Sequence, residues 1–311
     1  MLRKLNIIII KNNFKIVQNI ISMYFSIPNK IKVLLELGRY NYPTGAFLLM
    51  WPCFWGVLYQ PNFDQDLLKF LGLFIVGSFV MRGAGCTIND FFDKELDKKV
   101  SRTKNRPLAR GALNNTDVLF FILFQLFIGL IVVVQFSLKV IFFSFLIIPL
   151  IFIYPILKRV TYFPQIFLGL IFNWGVIVGF LSQNNELNIG VVYLYLSGFF
   201  LTIAYDTIYA FQDLEDDKKA GIKSTAVLFE KNSTFFILSS LFLSYFFLNL
   251  SLIETSDLDT LKLVLLTSIV LICHLKQFIN FNYKRSYKSI FDYNVWVGAI
   301  IALIVFLKNY L

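Results

Sequence analysis

The sequence predicts an all-α, polytopic membrane protein with nine transmembrane helices in a single bundle. Of its 311 residues, 57% are hydrophobic and only 15% are charged, and the mean hydropathy is +0.68. Soluble domains average about 45–50% apolar and about 25% charged residues. The apolar residues fall in long stretches that recur from Pro43 to Tyr310, so the excess reflects many membrane spans and not one large core.

Nine of these stretches are long enough to cross a bilayer, which requires about 20 apolar residues. The link between the third and the fourth stretch, at Ser137 and Leu138, is so short that these two helices must be adjacent and antiparallel. The predicted spans are 43–60, 68–88, 118–136, 139–157, 163–181, 189–211, 234–253, 261–281 and 293–310.

The distribution of Lys and Arg orients these spans. With the N-terminus inside, most of the 29 basic residues fall on the cytoplasmic side, whereas the outer loops carry few basic residues and several acids. This is the positive-inside pattern of membrane proteins. The basic loop 98–113, which contains Pro107 and Gly111, is predicted to be ordered and to belong to a cytoplasmic-side cap of loops and short helices. The competing interpretation is that this loop only determines topology.

The net charge of +10 does not indicate a nucleic-acid partner. The basic residues lie in short loops between apolar spans, where they suit the anionic headgroups of a lipid bilayer. The bilayer is therefore the expected partner, and no obligate protein partner is implied. Cys53, Cys86 and Cys273 lie in or beside apolar spans without metal-ligand spacing, so we expect them to pack in the interior.

Residues 1–35 are predicted to form a basic segment ahead of a transmembrane domain at 36–311. The apolar residues of this segment follow helical spacing at Phe14, Val17, Ile20, Ile21, Tyr24 and Phe25. This spacing indicates an amphipathic helix that lies on the membrane. An organelle transit peptide is the alternative, but Arg and Ser are scarce here. The pattern therefore favours a bacterial inner membrane over a mitochondrial inner membrane.

The first acidic cluster, NDFFDKELD, follows the second span. Asn89, Asp93 and Asp97 are spaced at i, i+4 and i+8, so they share one face of a helix, with Asp90 beside it. Arg82 lies on the same stripe, deeper in the span. Carboxylates this close repel one another unless a cation lies among them, and Mg²⁺ uses a few oxygen ligands when a substrate phosphate completes its shell. The alternative is a solvated helix end.

The second acidic cluster, YDTIYAFQDLEDD, follows the sixth span. Asp206, Asp213 and Asp217 are spaced at i, i+7 and i+11, again on one helical face. Asp206 lies within the apolar stretch, where a carboxylate costs about 2.5–3.5 kcal/mol and is a candidate for a functional site. In the following GIKSTA, Lys223 and its neighbouring hydroxyls suit phosphate oxygens, although an ordinary loop and helix cap would also explain them.

Both clusters follow even-numbered spans, so both emerge on the same face of the membrane and can share one site. Two sets of Mg²⁺-carrying carboxylates are typical of a diphosphate site, in which basic residues neutralise the remaining charge. The predicted metal ligands are Asn89, Asp90, Asp93, Asp97, Asp206, Asp213 and Asp217. The predicted diphosphate-binding residues are Arg82, Lys94, Arg102, Arg106, Lys158 and Lys223.

These motifs resemble those of the UbiA superfamily of intramembrane prenyltransferases. The matches are N-D-x-x-D-x-x-x-D at 89–97, followed by R-x-x-x-R-P-L at 102–108, and Y-D-x-x-Y-A-x-x-D-x-x-x-D at 205–217, followed by GIKSTA. Supporting blocks are GRYNYPTGAFLLMWP at 38–52 and YPILKRVTYFPQ at 154–165. Together the blocks span most of the chain in the family's order. The second motif looks like the 4-hydroxybenzoate polyprenyltransferase branch of ubiquinone synthesis.

The resemblance implies a nine-helix bundle that uses Mg²⁺ to transfer a polyprenyl group from polyprenyl diphosphate to 4-hydroxybenzoate. The bond would form at the ring carbon ortho to the hydroxyl. The catalytic residues implied in this way are Asp90, Asp93, Asp213 and Asp217. Arg39 would hold the carboxylate of the acceptor, or would only anchor its helix at the cytoplasmic side. The acceptor-binding residues would also include Tyr154, Tyr205 and Tyr209.

Two other interpretations stay open. Another branch of the same superfamily would use homogentisate, dihydroxynaphthoate or haem as its acceptor. An ion-coupled membrane transporter would also place carboxylates in membrane helices, but it predicts inverted repeats with helices broken at the midplane. The acids here gather instead at one face beside basic loops, which favours an enzyme.

Overall fold

The computed structural model describes residues 28–60, 66–183, 186–254, 260–283 and 286–310, and within these ranges the chain is helical without a β-strand. Most of the predicted amphipathic segment, residues 1–27, lies outside the described residues. The α-helices are α1 (Asn29–Leu37), α2 (Thr44–Leu58), α3 (Leu67–Asp97), α4 (Asn115–Val133), α5 (Leu138–Leu146), α6 (Ile148–Val160), α7 (Pro164–Gln183), α8 (Ile189–Ala210), α9 (Leu214–Ala220), α10 (Thr225–Leu228), α11 (Ser233–Ile253), α12 (Thr260–Asn282) and α13 (Tyr287–Leu307).

The predicted membrane bundle is confirmed, with one span shorter than expected. Across the described ranges, eight helices are long and apolar enough to cross a bilayer, when α5 and α6 are taken together as one span. The first predicted span corresponds to α2, which has only 15 residues. At 1.5 Å per residue, α2 is shorter than a hydrocarbon layer of about 30 Å. It is stable because most of its residues are buried against other helices.

Helix α3 extends beyond its predicted span. The apolar span predicted at 68–88 ends near residue 88, and the helical spacing of the first acidic cluster predicts that the helix continues. In the structure α3 runs for 31 residues from Leu67 to Asp97. The helix continues because NDFFDKELD contains no Gly or Pro and includes Lys, Glu and Leu, which favour helices. The additional turns carry the first acidic cluster out of the apolar segment towards the cytoplasmic side.

The predicted fourth span is divided between α5 and α6. The two helices meet at Ile147, and Pro149 lies in the first turn of α6. Because proline has no N–H to donate, it is tolerated at the start of a helix but interrupts the hydrogen bonds of a continuous one. The break lets α6 line the interior of the bundle at its cytoplasmic end.

Helices α2 and α7 cross in direct backbone contact. A Cβ atom on Gly56 would overlap the backbone of Val176 and Phe180, and a Cβ atom on Gly179 would overlap the backbone of Cys53. Only glycine at these two positions permits so close an approach. The crossing holds the short helix α2 in the centre of the bundle and so fixes the turn that precedes it.

The outer face of the bundle is apolar, as a bilayer requires. Large hydrophobic side chains are exposed along α4 and α11, at Leu119, Phe120, Phe124, Phe127, Phe235 and Phe242. Soluble monomers rarely expose apolar patches of this extent, so lipid is the natural environment of this surface. Inside, the three cysteines are buried and free of disulfides, as predicted.

Gly179→Ala should destabilise the bundle by about 1–3 kcal/mol, the usual effect of inserting a methyl group where there is no space. The matched control is Gly72→Ala, because a Cβ atom on Gly72 meets no atom within 4 Å. Thermal unfolding in detergent micelles measures both variants against the parent chain. Equal melting temperatures for the two variants would contradict the close crossing of α2 and α7.

Candidate active site

A cavity of about 710 Å³ lies at the cytoplasmic end of the bundle, with loop 98–113 in its wall. Both acidic clusters reach it, because α3 and α8 both end at this level. The lining residues from the first cluster are Asn89, Asp90 and Asp97, and those from the second are Asp206, Asp213 and Asp217. The structure therefore brings six of the seven predicted metal ligands to one cavity.

Asp90 and Asp97 of α3 are buried and are held by arginines from other segments. Asp90 is 1% exposed and Asp97 is 6% exposed. Arg106 Nη1 lies 3.1 Å from Asp90 Oδ1 and 2.9 Å from Asp97 Oδ2, and Arg39 Nη2 lies 2.7 Å from Asp90 Oδ2. Because buried carboxylates are costly without a cation, these ion pairs fix loop 98–113 onto α3.

Arg39 reaches Asp90 through an uncommon backbone turn between α1 and α2. Its φ angle of 61° lies in the left-handed region, which non-glycine residues seldom adopt. Its Nη1 donates to the carbonyl oxygens of Glu36 and Leu37 at 3.1 and 3.2 Å. The sequence assigned Arg39 to the carboxylate of an acceptor, but in the structure its terminal nitrogens bind Asp90 and the carbonyls of this turn.

Asp213, between α8 and α9, receives a second arginine of the loop. Arg102 Nε lies 2.8 Å from Asp213 Oδ1, and Nη2 lies 2.5 Å from Oδ2, which is a bidentate pair. Arg102 Nη1 also donates to the Tyr209 hydroxyl at 3.3 Å. Burial alone would lower the pKa of Arg102, but the hydrogen bonds to Asp213 and the neighbouring charges together outweigh it and raise the pKa above its ordinary value. Arg102 is therefore held in its charged form beside Asp213.

Two further contacts fix the cap. The backbone N–H of Ser101 donates to Asp216 Oδ2 at 2.8 Å, and this bond holds the pKa of Asp216 below its ordinary value. Arg110 Nη2 lies 2.9 Å from Glu36 Oε2 in α1. Loop 98–113 thus contacts α1, α3 and α9, which confirms the predicted cap on the cytoplasmic side.

The deeper part of the cavity lies within the membrane-spanning parts of α3 and α8. Arg82 and Asp206 line it, and both belong to spans. Arg82 Cζ lies 5.2 Å from the centre of the Phe172 ring. Tyr154 and Tyr205 line the same cavity. The deep part therefore combines aromatic walls with one arginine and one carboxylate.

Not every predicted residue lines the cavity. Asp93 is fully buried on α3, and its Oδ1 lies 3.9 Å from Arg159 Nη2 of α6. Neither Asp93 nor Lys94 is part of the cavity wall, whereas Lys223 is. The side chain of Lys158 lies outside the described parts of the chain, so its role stays a prediction.

A polar set that the sequence did not reveal lies where the start of α2 meets α13. Asp292 accepts a hydrogen bond from the Tyr42 hydroxyl and another, of 2.9 Å, from Thr44 Oγ1. Lys288 Nζ lies 4.3 Å from the centre of the Tyr42 ring, and both residues line the cavity. No spacing rule relates residues 250 positions apart, and single polar residues at the ends of spans are common at a membrane surface.

The donor atoms of the cavity fit a metal ion that binds together with a phosphate. Within the described ranges, no three His, Cys, Asp or Glu side chains are arranged to hold a metal ion on their own. Mg²⁺ commonly takes one or two protein carboxylates and completes its shell with waters and substrate phosphates. Asn89 and the carboxylates of both clusters supply oxygen ligands of this kind.

A family model described as the UbiA prenyltransferase family matches residues 49–303, which include both acidic clusters. The chain belongs to the UbiA prenyltransferase family. The predicted resemblance is thereby confirmed, and the cavity lies in the part of the chain that the UbiA model covers.

Curated relatives are 41–46% identical to this chain over the matched residues. The chain is 46% identical over 210 residues to 4-hydroxybenzoate geranyltransferase 1 of Lithospermum erythrorhizon, covering 67% of each chain. It is 45% identical to the mitochondrial 4-hydroxybenzoate polyprenyltransferase of Drosophila melanogaster, over 65% of this chain and 52% of that one. It is 41% identical to the 4-hydroxybenzoate octaprenyltransferase of a Marinomonas species, over 68% and 74%. The match thus spans about half of the insect relative and about two thirds or more of the other two.

Solved UbiA structures share the fold. A UbiA homolog from Aeropyrum pernix has a TM-score of 0.70 at 21% identity, over 85% of this chain and 97% of that one. A UbiA homolog from Archaeoglobus fulgidus bound to GPP and Mg²⁺ has a TM-score of 0.69 at 17% identity, over 90% and 100%. At these identities the likeness establishes the fold alone, a multi-pass membrane bundle.

Arg106→Gln should destabilise this UbiA chain by about 3–5 kcal/mol in the absence of Mg²⁺, because it leaves Asp97 without the ion pair described above. Arg110→Gln is the matched control, since its partner Glu36 is 36% exposed and such pairs contribute about 0–1 kcal/mol. Melting temperatures in detergent, with and without Mg²⁺, measure both. Mg²⁺ should raise the melting temperature of Arg106→Gln more than that of Arg110→Gln. Similar behaviour of the two variants would contradict the buried pairing.

Proposed function

We propose that this chain transfers a polyprenyl group from polyprenyl diphosphate to the ring carbon ortho to the hydroxyl of 4-hydroxybenzoate, with Mg²⁺, in ubiquinone biosynthesis. The observation that carries the proposal is the convergence of the carboxylates of α3 and of α8–α9 on one cavity. The printed names of plant, insect and Marinomonas relatives support the acceptor. The Archaeoglobus homolog bound to GPP and Mg²⁺ supports the donor and the metal.

The diphosphate would lie between the two acidic clusters. When bound, Mg²⁺ neutralises the phosphate oxygens and so makes diphosphate a better leaving group. The residues that would hold the metal are Asn89, Asp90 and Asp97 on one side and Asp206, Asp213 and Asp217 on the other. Arg102 and Arg106 already lie among these carboxylates. Both can exchange a carboxylate oxygen for a phosphate oxygen, which guanidinium groups bind with similar geometry.

The first chemical step breaks the bond between the allylic carbon C1 of the donor and the diphosphate oxygen. Both electrons of this bond leave with the diphosphate, and C1 becomes part of an allylic cation. Arg102 and Arg106 stabilise the charge that develops on the leaving oxygen. The cation requires a site without water, and the rings of Tyr154, Tyr205 and Phe172 in the cavity wall suit a cation through their π-faces.

The second step forms the carbon–carbon bond. The acceptor ring supplies an electron pair to C1 from the carbon ortho to its hydroxyl, since the phenol oxygen makes this carbon electron-rich. The same ring carbon then loses its proton, and the ring becomes aromatic again. The released diphosphate can take up this proton, so the products are prenylated 4-hydroxybenzoate and diphosphate.

The arrangement of charges favours an enzyme over an ion-coupled transporter. The carboxylates line a cavity at one end of the bundle. Arg102 and Arg106 of loop 98–113 form ion pairs with two of these carboxylates, Asp213 and Asp97. A transporter would need its ionisable groups at the middle of the membrane, between repeats that alternate their access. The UbiA family match supports prenyl transfer, whereas the choice of acceptor and of bacterial or mitochondrial membrane stays a prediction.

The test of this function is product formation by purified membranes. Incubation with 4-hydroxybenzoate, a polyprenyl diphosphate and Mg²⁺ should yield the ortho-prenylated acid, identified by its mass. Homogentisate and dihydroxynaphthoate are the rival acceptors in parallel reactions. Prenylation of a rival in place of 4-hydroxybenzoate would assign the chain to another branch. Substrate-dependent ion flux in proteoliposomes without any prenyl transfer would support the transporter.

Asp213→Ala should lower the rate of prenyl transfer by at least about 10²-fold, because it removes a carboxylate from the diphosphate site and frees Arg102. Glu215→Ala is the matched control, since Glu215 lies two residues away on α9, its side chain is 72% exposed and, among the described residues, it forms an ion pair only with Lys218. Asp93→Ala tests whether the buried carboxylate beside Arg159 is also required. Rates are measured with saturating Mg²⁺ and substrates. Full activity of Asp213→Ala would remove this carboxylate from the mechanism.

Removal of Mg²⁺ with EDTA should abolish transfer to 4-hydroxybenzoate, since the carboxylates alone would repel the diphosphate. Activity should return when Mg²⁺ is added in excess of the chelator. The measurement is product yield across a series of free Mg²⁺ concentrations. Transfer that continues unchanged in excess EDTA would exclude the metal from this reaction.

A further inference from the structure

The last helix contributes to the cavity wall a lysine that lies outside every motif of the sequence. Lys288 is in the first turn of α13, lines the cavity and is exposed. Within the described ranges its ammonium group forms no ion pair. It lies instead over the ring of Tyr42, 4.3 Å from the ring centre. The cavity therefore has a positive charge that no carboxylate neutralises directly.

The carboxylate best placed to neutralise this lysine is already occupied. Asp292 follows Lys288 by four residues on α13, and residues four apart are neighbours on a helix surface. Its carboxylate accepts hydrogen bonds from the Tyr42 hydroxyl and, at 2.9 Å, from Thr44 Oγ1. Both donors come from the start of α2. The two hydroxyls thus hold Asp292 away from its own helix neighbour, and Lys288 keeps its charge for another partner.

Tyr42 is fixed at both ends of its turn. Its backbone N–H donates to the carbonyl oxygen of Arg39 at 3.0 Å, and Arg39 Nη2 lies 2.7 Å from Asp90 Oδ2 on α3. Its hydroxyl is held by Asp292 on α13. The turn before α2 therefore ties α3 to α13, and it presents the face of the Tyr42 ring to the ammonium group, an arrangement that attracts a cation.

The position of Lys288 matches the phosphate end of the cavity. Phe291, three residues further along α13, lies 4.4 Å from Tyr209 between ring centres. Tyr209 accepts a hydrogen bond from Arg102, which pairs with Asp213 of the second acidic cluster. Because α13 begins at the cytoplasmic end, Lys288 lies about 4.5 Å nearer the cytoplasm than Phe291 along the helix axis. It is thus on the wall of the second cluster, at the mouth of the cavity.

A ring contact is easier to exchange than an ion pair. Arg39, Arg102 and Arg106 are each bound to a carboxylate, and Lys223 donates to a backbone carbonyl. An incoming phosphate has to displace those partners. Lys288 has only to leave the face of a ring, and in return it gains charge-assisted hydrogen bonds to phosphate oxygens, which are among the strong ones.

We propose that Lys288, held in place by Tyr42 and Asp292, binds the phosphate oxygens of the prenyl donor at the cytoplasmic mouth of the cavity. The proposal rests on the proposed prenyl transfer and adds a residue of α13 to a site formed otherwise by α3, loop 98–113 and α8–α9. Asp292 is a positioning residue, since it acts by keeping Tyr42 in place and by leaving Lys288 unpaired.

The first test measures the binding of inorganic diphosphate with Mg²⁺ to the purified chain by titration calorimetry. Lys288→Gln should raise the Kd about 10-fold, the usual effect of losing one hydrogen bond to a charged group, and Lys288→Arg should retain most of the affinity. The matched control is Lys231→Gln, an exposed lysine between α10 and α11 that is not part of the cavity wall. Binding by Lys288→Gln equal to that of the parent chain overturns the proposal.

The second test separates positioning from general support of the fold. Tyr42→Phe keeps the ring but removes its hydrogen bond to Asp292, so the freed carboxylate can pair with Lys288 and diphosphate binding should weaken. Adding Asp292→Asn removes that competing carboxylate, so the double variant should bind diphosphate more tightly than Tyr42→Phe alone. If the double variant binds as weakly as Tyr42→Phe or more weakly, Asp292 has no positioning role of this kind and that part of the proposal is overturned.

A lipid headgroup offers the same phosphate chemistry as the donor, so the titrations are repeated in nanodiscs of phosphatidylcholine with and without phosphatidylglycerol. The weaker binding by Lys288→Gln should be the same in both. A difference between Lys288→Gln and the parent chain that appears only with phosphatidylglycerol would assign Lys288 to lipid and overturn the proposal.

Turnover distinguishes this inference from the proposed function. Lys288→Gln should raise the KM for polyprenyl diphosphate about as much as it raises the Kd for diphosphate, and the KM for 4-hydroxybenzoate should not change. A rise confined to the KM for 4-hydroxybenzoate overturns the proposal. If the parent chain binds diphosphate but prenylates no acceptor, the proposed function fails, and the titrations still decide whether Lys288 binds phosphate.

Discussion

The cytoplasmic end of this bundle depends on ion pairs between buried aspartates and arginines from other segments. Arg106 bridges Asp90 and Asp97, Arg39 binds Asp90 from the turn before α2, and Arg102 binds Asp213. Each of these carboxylates thus has a guanidinium group within ion-pair distance. The same groups that hold the loops in place are those proposed to bind the metal and the diphosphate, so the proposed chemistry and the stability of the cap depend on one set of charges.

The membrane topology could be predicted because it depends on local properties of the sequence. The length of each apolar stretch and the position of Lys and Arg are readable without any tertiary contact. Because both acidic clusters follow even-numbered spans, they were predicted to emerge on the same face of the membrane. The cavity contains residues of both clusters. The helical spacing of Asn89, Asp93 and Asp97 predicted that α3 continues beyond the apolar span at 68–88, because hydrophobicity indicates where a membrane segment stops and not where the helix stops.

Side-chain roles were harder to predict than positions. Asp93 shares a helical face with Asn89 and Asp97, yet α6 covers it, and spacing along one helix cannot reveal a neighbouring helix. Arg39 was expected to hold the acceptor's carboxylate or to anchor its helix, and nothing in the sequence indicated its partner Asp90, 51 residues away along the chain. The hydrogen bond between Tyr42 and Asp292 joins the turn before α2 to α13, the last helix. Only the packed bundle determines such partners.

Helix α6 separates the cavity from the surrounding bilayer by the thickness of a single helix. Its Tyr154 lines the interior, while Phe152, Ile153 and Ile156 are 46–47% exposed on the outside. A hydrocarbon chain bound in the cavity would therefore have only α6 between itself and the acyl layer on this side. The prenylated product of the proposed reaction would then pass into the surrounding leaflet beside α6, without crossing water.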